Sequence, residues 1–436
     1  MTALRKLTPL VLFALFAILT TAQTNAEQLS DKEKESLNAI ATKAIEFGEL
    51  CVSKGMLEKA RFALKCATDA APELEVLGEF QQLVDYADPI EVTDEAKEEV
   101  ENAEEEFRRF AGKEYLSLYR RKGRSVDNRF LFDVARAVNI DPSNSRGWTY
   151  ASRELDDILS SKDKTLAARY IPLCLTAKDA SDRYKGKFLR GIESKLKAGT
   201  FLLKASTHHM YYFISLPSSW DAKKSWPVLL SVEGAGCGFK GNHRGFASAR
   251  GKLPLIVITL HTFSNTNKLN PKKYHYEQET LNRYNGDRMT FDYGGYEAVM
   301  ADIKAMFNAQ DRVFVTGFSG GGKLTYYMTL QHPEQVRGAF PSCANFQPSL
   351  GRGAEQVPEE FTDTPIHIFT GEKDPHKDDV FGQKPGIEGQ SDWAMEALKG
   401  VGYTNIKRTM LTGVGHSNCR GKVIAEIESL GTATAK

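Results

Sequence analysis

Two rhythms of apolar and polar positions divide this chain. From Asp31 to about Pro72, apolar and small residues recur at helical spacing with few β-branched residues, and Gly55 breaks the run into two helices. The stretch 91–124, "EVTDEAKEEVENAEEEFRRFAGKEYLSLYRRKGR", has acidic residues leading and basic ones trailing, an order that suits the dipole of one solvated helix. "NRFLFDVARAVNIDPSN" predicts a further helix that closes at Pro142, and residues 146–185 read as a helical connection. After Ala198 the rhythm changes. "TFLLKASTHHMYYFISLP" predicts two strands paired as a hairpin, with His208 and His209 adjacent in a strand and on opposite faces, which speaks against a shared metal site. "WPVLLSVEGAG", "LPLIVITLH", "DRVFVTGFS", "TPIHIFTGEKD" and "NIKRTMLTGVGH" are short continuous apolar runs. Helical spacing lies among them in "YEAVMADIKAMF", "GKLTYYMTLQHP" and "SDWAMEALKGVG". Continuous strands alternating with helices predict an α/β fold, a mostly parallel sheet with helices on both faces, preceded by an all-α region. Reactive groups in such folds gather at the carboxyl edge of the sheet.

At 436 residues the chain is long enough for two domains and a large core. Lysine plus arginine number 57 against 56 acidic residues, so charge gives no reason to expect a nucleic-acid partner. The opening "MTALRKLTPLVLFALFAILTTAQTNAEQ" changes the picture more. Arg5 and Lys6 precede an apolar run from Leu10 to Leu19, with Ala22 and Ala26 as cleavage points. That layout predicts a signal peptide over 1–26 and an exported, periplasmic or secreted protein. The alternative is an uncleaved N-terminal membrane anchor. The run is short of the roughly 20 residues of a comfortable span, and no second stretch of membrane length follows, so no stable span is expected after cleavage. No cysteine stands near the cleavage zone to carry a lipid.

Export permits disulfides, but six cysteines are few for this length. Cys51 and Cys66 fall on two helices at heights offset by roughly 8 Å, at about 1.5 Å rise per residue, so core thiols are expected there. No C-x-x-C or paired Cys/His spacing is present, and neither a metal nor a cofactor is expected.

The chemistry concentrates at "VFVTGFSGGGKL". Gly317-Phe318-Ser319-Gly320-Gly321 fits G-x-S-x-G between an apolar strand and a helical run, the context of a nucleophile elbow. A strand that becomes a helix within one or two residues forces the serine into a strained backbone conformation. Glycines at 317 and 321 remove the collisions that side chains would make. A P-loop is excluded because Leu324 stands where Ser or Thr must follow Lys323, and the dinucleotide pattern lacks its acidic partner. A serine hydroxyl needs a base, and the base needs a group that fixes its tautomer. "HIFTGEKDP" ends one strand with Asp374, and "MLTGVGHSN" ends the next with His416. Asp378 and Asp379 are rivals for Asp374, and His261 ends an earlier strand as a pocket residue.

This order of Ser319, Asp374 and His416 at strand ends resembles the α/β-hydrolase family over roughly residues 186–432. The resemblance implies a nucleophile at Ser319, a general base and acid at His416 and an orienting carboxylate at Asp374. It implies an oxyanion hole from the amide of Gly320 together with Ala235 or Gly236, in the loop where Glu233 replaces the family's usual histidine. Cys237 lies in that loop, either as a thiol or paired with Cys343 or Cys419. The region around the turn looks like secreted esterases of the polyester depolymerase and feruloyl esterase type. The implied activity is hydrolysis of carboxylic esters, small or polymer-linked, through an acyl-enzyme. A prolyl-oligopeptidase-like serine peptidase is the alternative. The long insertion after the fourth strand, "TFSNTNKLNPKKYHYEQETLNRYNGDRMTFDYGGYE", holds five tyrosines and is expected to shape the pocket.

In front, residues 27–145 resemble a tetratricopeptide module. Gly48, Ala60, Leu64, Ala67 and Pro72 fit its positions, while Ala44 and Cys51 stand where large rings are usual. A plain helical bundle reads equally well. A third functional reading follows from this module: a protein-interaction region, with a protein partner for its helices, fused to an inactive hydrolase fold.

Overall fold

The computed structural model describes residues 30–122, 128–176, 187–236, 238–269, 272, 274 and 276–431. The leader at 1–26 and the pairing of Cys237 lie outside the described residues. The chain divides into two compact units, Met1–Gly147 and Trp148–Lys436.

The first unit is helical: α1 (Asp31–Ser53), α2 (Leu57–Ala70), α3 (Leu77–Asp85), α4 (Asp94–Lys122) and α5 (Asn128–Ile140). The α1–α2 hairpin closes on small residues, with Ala60, Ala63 and Ala67 fully buried. A Cβ on Gly48 would lie 2.1 Å from the Phe80 ring, so the missing side chain is what admits the ring of α3. The charged stretch forms one helix, α4, but it is not wholly solvated. Val100, Phe107, Ala111, Tyr115 and Leu118 make a buried stripe along it, and Phe107 stacks on Phe47 with ring centroids 5.5 Å apart. Lys59 and Arg108 both pair with Glu104 at 2.7 Å. Cys51 and Cys66 are free thiols. No helix among the described residues is long and apolar enough to cross a membrane.

In the second unit α6 (Ser145–Ser160, from Trp148 on), α7 (Leu166–Thr176) and α8 (Lys187–Ala198) lead into an eight-stranded sheet of order β1-β2-β4-β3-β5-β6-β7-β8. Its strands are β1 (Thr200–Lys204), β2 (Tyr211–Ser215), β3 (Trp226–Val232), β4 (Ile256–Leu260), β5 (Ala309–Gly317), β6 (Val336–Ala339), β7 (Ile366–Gly371) and β8 (Ile406–Leu411). β1 pairs with β2, and β2 with β4, antiparallel; the other pairs are parallel. This strand order, mostly parallel with one antiparallel corner and helices between strands, is the α/β-hydrolase fold. β3, β4 and β7 are buried along their whole length, which is why they read as unbroken apolar runs. β8 closes the edge with half-exposed, charged positions such as Lys407 and Arg408.

The intervening helices are α9 (Phe239–Ala249), α10 (Gln278–Tyr284), α11 (Arg288–Phe307), α12 (Gly322–Gln331), α13 (Ile387–Gly400) and α14 (Arg420–Ser429). α9 and α14 cover one cluster of Leu229, Phe246, Val257, Phe314, Phe369, Val423 and Ile427. His208 and His209 do not lie in a strand. They occupy the loop between β1 and β2, where the polar run "STHH" carries no alternation to extend the ladder.

Register decides where the strands end. Val232 of β3 is opposite Gly317 of β5, so residues 233–234 and 318–319 emerge side by side. Ser342 bridges Phe318 and Phe369, and Gly371 is opposite Leu411, which brings the loops after β6, β7 and β8 to the same edge.

Candidate active site

β5 runs straight into a 3₁₀ turn, Ser319–Gly321, and then α12. Ser319 takes a left-handed backbone at φ +51°, a conformation that costs an L-residue about 1–2 kcal/mol. The turn fits only because its neighbours lack side chains. A Cβ on Gly317 would sit 2.3 Å from the Gly321 carbonyl oxygen, one on Gly320 1.9 Å from that of Asn265, and one on Gly321 2.5 Å from that of Glu233. Gly234 is also close, since a Cβ there would lie 2.8 Å from the Phe318 ring and 3.1 Å from the Cβ of Ser319.

Asp374 and His416, from the loops after β7 and β8, meet at this edge. His416 Nδ1–H donates to Asp374 Oδ2 at 2.7 Å, and Asp374 Oδ1 accepts the His376 amide at 2.8 Å. Of the rival carboxylates, Asp378 is exposed and Asp379 accepts the Gly382 amide at 2.7 Å. Burial opposes charge on His416, but the bond to Asp374, reinforced by Cys343, outweighs it and holds the imidazole up at about 9. Asp374 feels burial too, yet its hydrogen bonds to His416 and His376 bring it below the usual carboxylate range. Phe318 packs its ring on His416 with centroids 4.6 Å apart. Ser319 and His416 share no hydrogen bond among the described residues; the Ser319 hydroxyl donates to Asn345 Oδ1 at 3.4 Å.

Cys343 lies behind the His–Asp pair. Its Sγ and the ligand atoms of Asp374 and His416 are all within 4.8 Å of one another, a donor set a soft divalent ion could use. The neighbouring Cys419 thiol, followed by burial, pushes Cys343 far up, so it stays a thiol. The Asp374–His416 hydrogen bond already occupies the other two donors, and the cluster is better matched to a proton than to a metal. Both cysteines are free.

The residues expected to hold a developing oxyanion come from two loops. Gly320 falls in the first helical turn, where N–H groups lack intrahelical partners. Ala235 and Gly236 lie in an exposed turn after β3, Gly236 at φ +74°. Glu233 just before them is buried, its Oε2 without a hydrogen-bond partner, and burial pushes its carboxyl up to about 8. His261, expected as a pocket residue, is buried and stacks on Phe239 and Tyr274, with centroids 4.4 and 4.7 Å away.

Several participants carried no sequence signal. Asn345 follows β6, a strand too short to show a rhythm, and only the sheet order brings it to Ser319. Asp292, fully buried on α11, accepts the Phe263 and Ser264 amides at 2.7 and 2.8 Å. It thereby fixes the loop whose Asn265 carbonyl meets Gly320, and burial raises it to about 7.

No protein-family model matches this sequence, and no curated protein matches it. Solved structures that resemble it include a thermostable esterase, 17% identical at TM-score 0.36, covering 53% of this chain and 60% of that one. Another is the poly(3-hydroxybutyrate) depolymerase LpqC from Bordetella parapertussis, 13% identical at TM-score 0.38, covering 52% and 86%. A third is an S-formylglutathione hydrolase from Agrobacterium tumefaciens, 18% identical at TM-score 0.36, covering 52% and 91%. The strand order, rather than these likenesses, defines the fold.

Proposed function

We propose that this protein is a serine hydrolase of carboxylic esters, with Ser319 as nucleophile, His416 as base and acid, and Asp374 as the group that orients it. The observation that carries this is the Asp374–His416 hydrogen bond of 2.7 Å, with Asp374 buried, on the same sheet edge as a serine strained at φ +51°. In the reaction, Ser319 Oγ bonds to the ester carbonyl carbon while its proton passes to His416. The tetrahedral oxygen takes the Gly320 amide, and the leaving oxygen collects the proton from His416 as the C–O bond breaks. Water then repeats the sequence on the acyl-enzyme. The reaction requires the Ser319 hydroxyl to leave Asn345 and reach His416, as resting sites often hold such bonds loosely.

Turnover of p-nitrophenyl acetate by wild type and by Ser319→Ala, both checked for folding by circular dichroism, tests this. Loss of at least a hundredfold in the variant is expected. Equal slow hydrolysis by two folded proteins would end the proposal. We also propose that residues 1–26 are a cleaved export signal, tested by the N-terminal peptide of the mature protein. Cleavage after Ala22 or Ala26 supports export, and an intact Met1 in a membrane fraction supports the anchor.

A further inference from the structure

A cleft of about 360 Å³ opens beside His416, walled by Phe318, His416, Asn242, Asn418 and Arg420. None of its lining side chains is acidic. Asn418 Nδ2 donates to Asn242 Oδ1 at 3.3 Å, which ties the two asparagines into one wall. Arg420 makes no ion pair or hydrogen bond among the described residues, and its Nε is buried without a partner. An unpaired guanidinium is a costly thing to hold against protein rather than let wave in water.

The fold nevertheless makes room for it. A Cβ on Gly245 of α9 would lie 2.3 Å from the Arg420 guanidinium carbon, so the group rests in a space that any other residue would fill. The same carbon lies 5.9 Å from the centre of the Phe246 ring. The amino ends of α9, capped by Gly238, and of α14, which begins at Arg420, both meet the cleft and add to its positive character.

A preset guanidinium in a pocket free of acidic groups is matched by one carboxylate, bound through two parallel N–H···O bonds. His416 decides which half of the substrate bears it. In acyl transfer the imidazole gives its proton to the leaving oxygen, so the portion beside His416 is the leaving alcohol. We infer that the cleft binds a carboxylate on the alcohol half of the ester, with Arg420 as its partner. This rests on the hydrolase reading above. The reaction releases a hydroxy acid, and the carboxylate itself passes through unchanged.

The test compares 4-acetoxybenzoate with methyl 4-acetoxybenzoate, which differ in charge at the far end of the leaving group. For Arg420→Gln the ratio of their kcat/KM values falls by about tenfold or more relative to wild type, the effect expected of a charge-assisted pair. Arg420→Lys recovers part of it. A ratio within twofold of wild type, with the neutral ester still turned over, overturns the anion site and leaves the hydrolase intact. Calorimetric titration of Ser319→Ala gives a readout independent of turnover. There 4-hydroxybenzoate binds more tightly than its methyl ester, and Arg420→Gln in the same background removes the difference. Equal binding of acid and ester overturns the inference, as does inorganic phosphate binding as tightly as the benzoate. Arg420-dependent binding without hydrolysis of any ester would instead retain the anion site and remove the hydrolase reading.

Discussion

The carboxylate of Asp374 uses both oxygens: one accepts from His416 Nδ1 at 2.7 Å and the other from the amide of His376 at 2.8 Å. The second bond stops the carboxylate from rotating, so the imidazole is aimed as well as charged. If His416 is the base, only its neutral form works, and its pKa of about 9 sets the slope of activity with pH. The kcat/KM for a neutral ester should climb from pH 7 and reach half its plateau near pH 9. Asp374→Asn removes the main support for the imidazolium and leaves burial opposed by Cys343. That variant's rising limb should move to lower pH, while its ceiling drops by about 10³–10⁴-fold. A flat profile for wild type between pH 6 and 10 would contradict the assignment.

The same pair makes stability depend on pH. His416 has a folded pKa of about 9 above its ordinary 6.5, so the folded state binds the proton more tightly. The resulting stabilisation is complete below pH 6.5 and is lost as pH rises through 9. The melting temperature of His416→Gln should therefore trail wild type most at pH 6, and the gap should close by pH 10. A gap that widens with pH would reverse the sign and refute the linkage.

Glu233 acts in the opposite direction. Its carboxyl is held up at about 8 by burial, against 4.5 in the ordinary case. Below pH 4.5 it is protonated whether the chain is folded or not and has no pH-linked effect. Above that, the unfolded chain ionises while the folded one cannot, so the fold loses stability until about pH 8. Glu233→Gln should match wild type at pH 4 and become progressively more stable than wild type up to pH 8. Thermal unfolding at three pH values is sufficient to see it.

Strain at Ser319 predicts a trade of stability against activity. Replacing it with glycine allows the +51° φ without penalty, whereas alanine keeps the strain. Ser319→Gly should melt higher than Ser319→Ala, by an amount matching about 1 kcal/mol, and both should be inactive. Indistinguishable melting curves would mean that the turn is not strained.

How much of this was open to inspection in the sequence depends on burial. β3, β4, β7 and the Val313–Gly317 half of β5 are enclosed on both sides, and their unbroken apolar runs announced them. β6 did not announce itself: it is four residues long and contains Arg337 and Gly338. α9 was hidden by the glycines and charges of "FKGNHRGFASA", of which Gly245 is there to receive Arg420. His208 and His209 read as strand because of the aromatic residues after them; the polar turn before Met210 prevails. The serine turn, Asp374 and His416 were legible because each combines a strand end with glycine. Asn345 and Asp292 were not, since each reaches the site from a place that only the order of strands in the sheet determines, and Arg420, four residues after His416, belongs to no motif.

When a new methyl group strikes a side chain, trimming that side chain can restore the fit. Around Gly317, Gly320 and Gly321 the obstacles are the carbonyls of Gly321, Asn265 and Glu233, which belong to the main chain and are present whatever residue occupies those positions. No single compensating substitution can enlarge that space. Genetic selection for suppressors of Gly320→Ala should thus return reversions or rebuilt loops, and this corner of the molecule can diverge only when the segments after β3, β4 and β5 shift in concert.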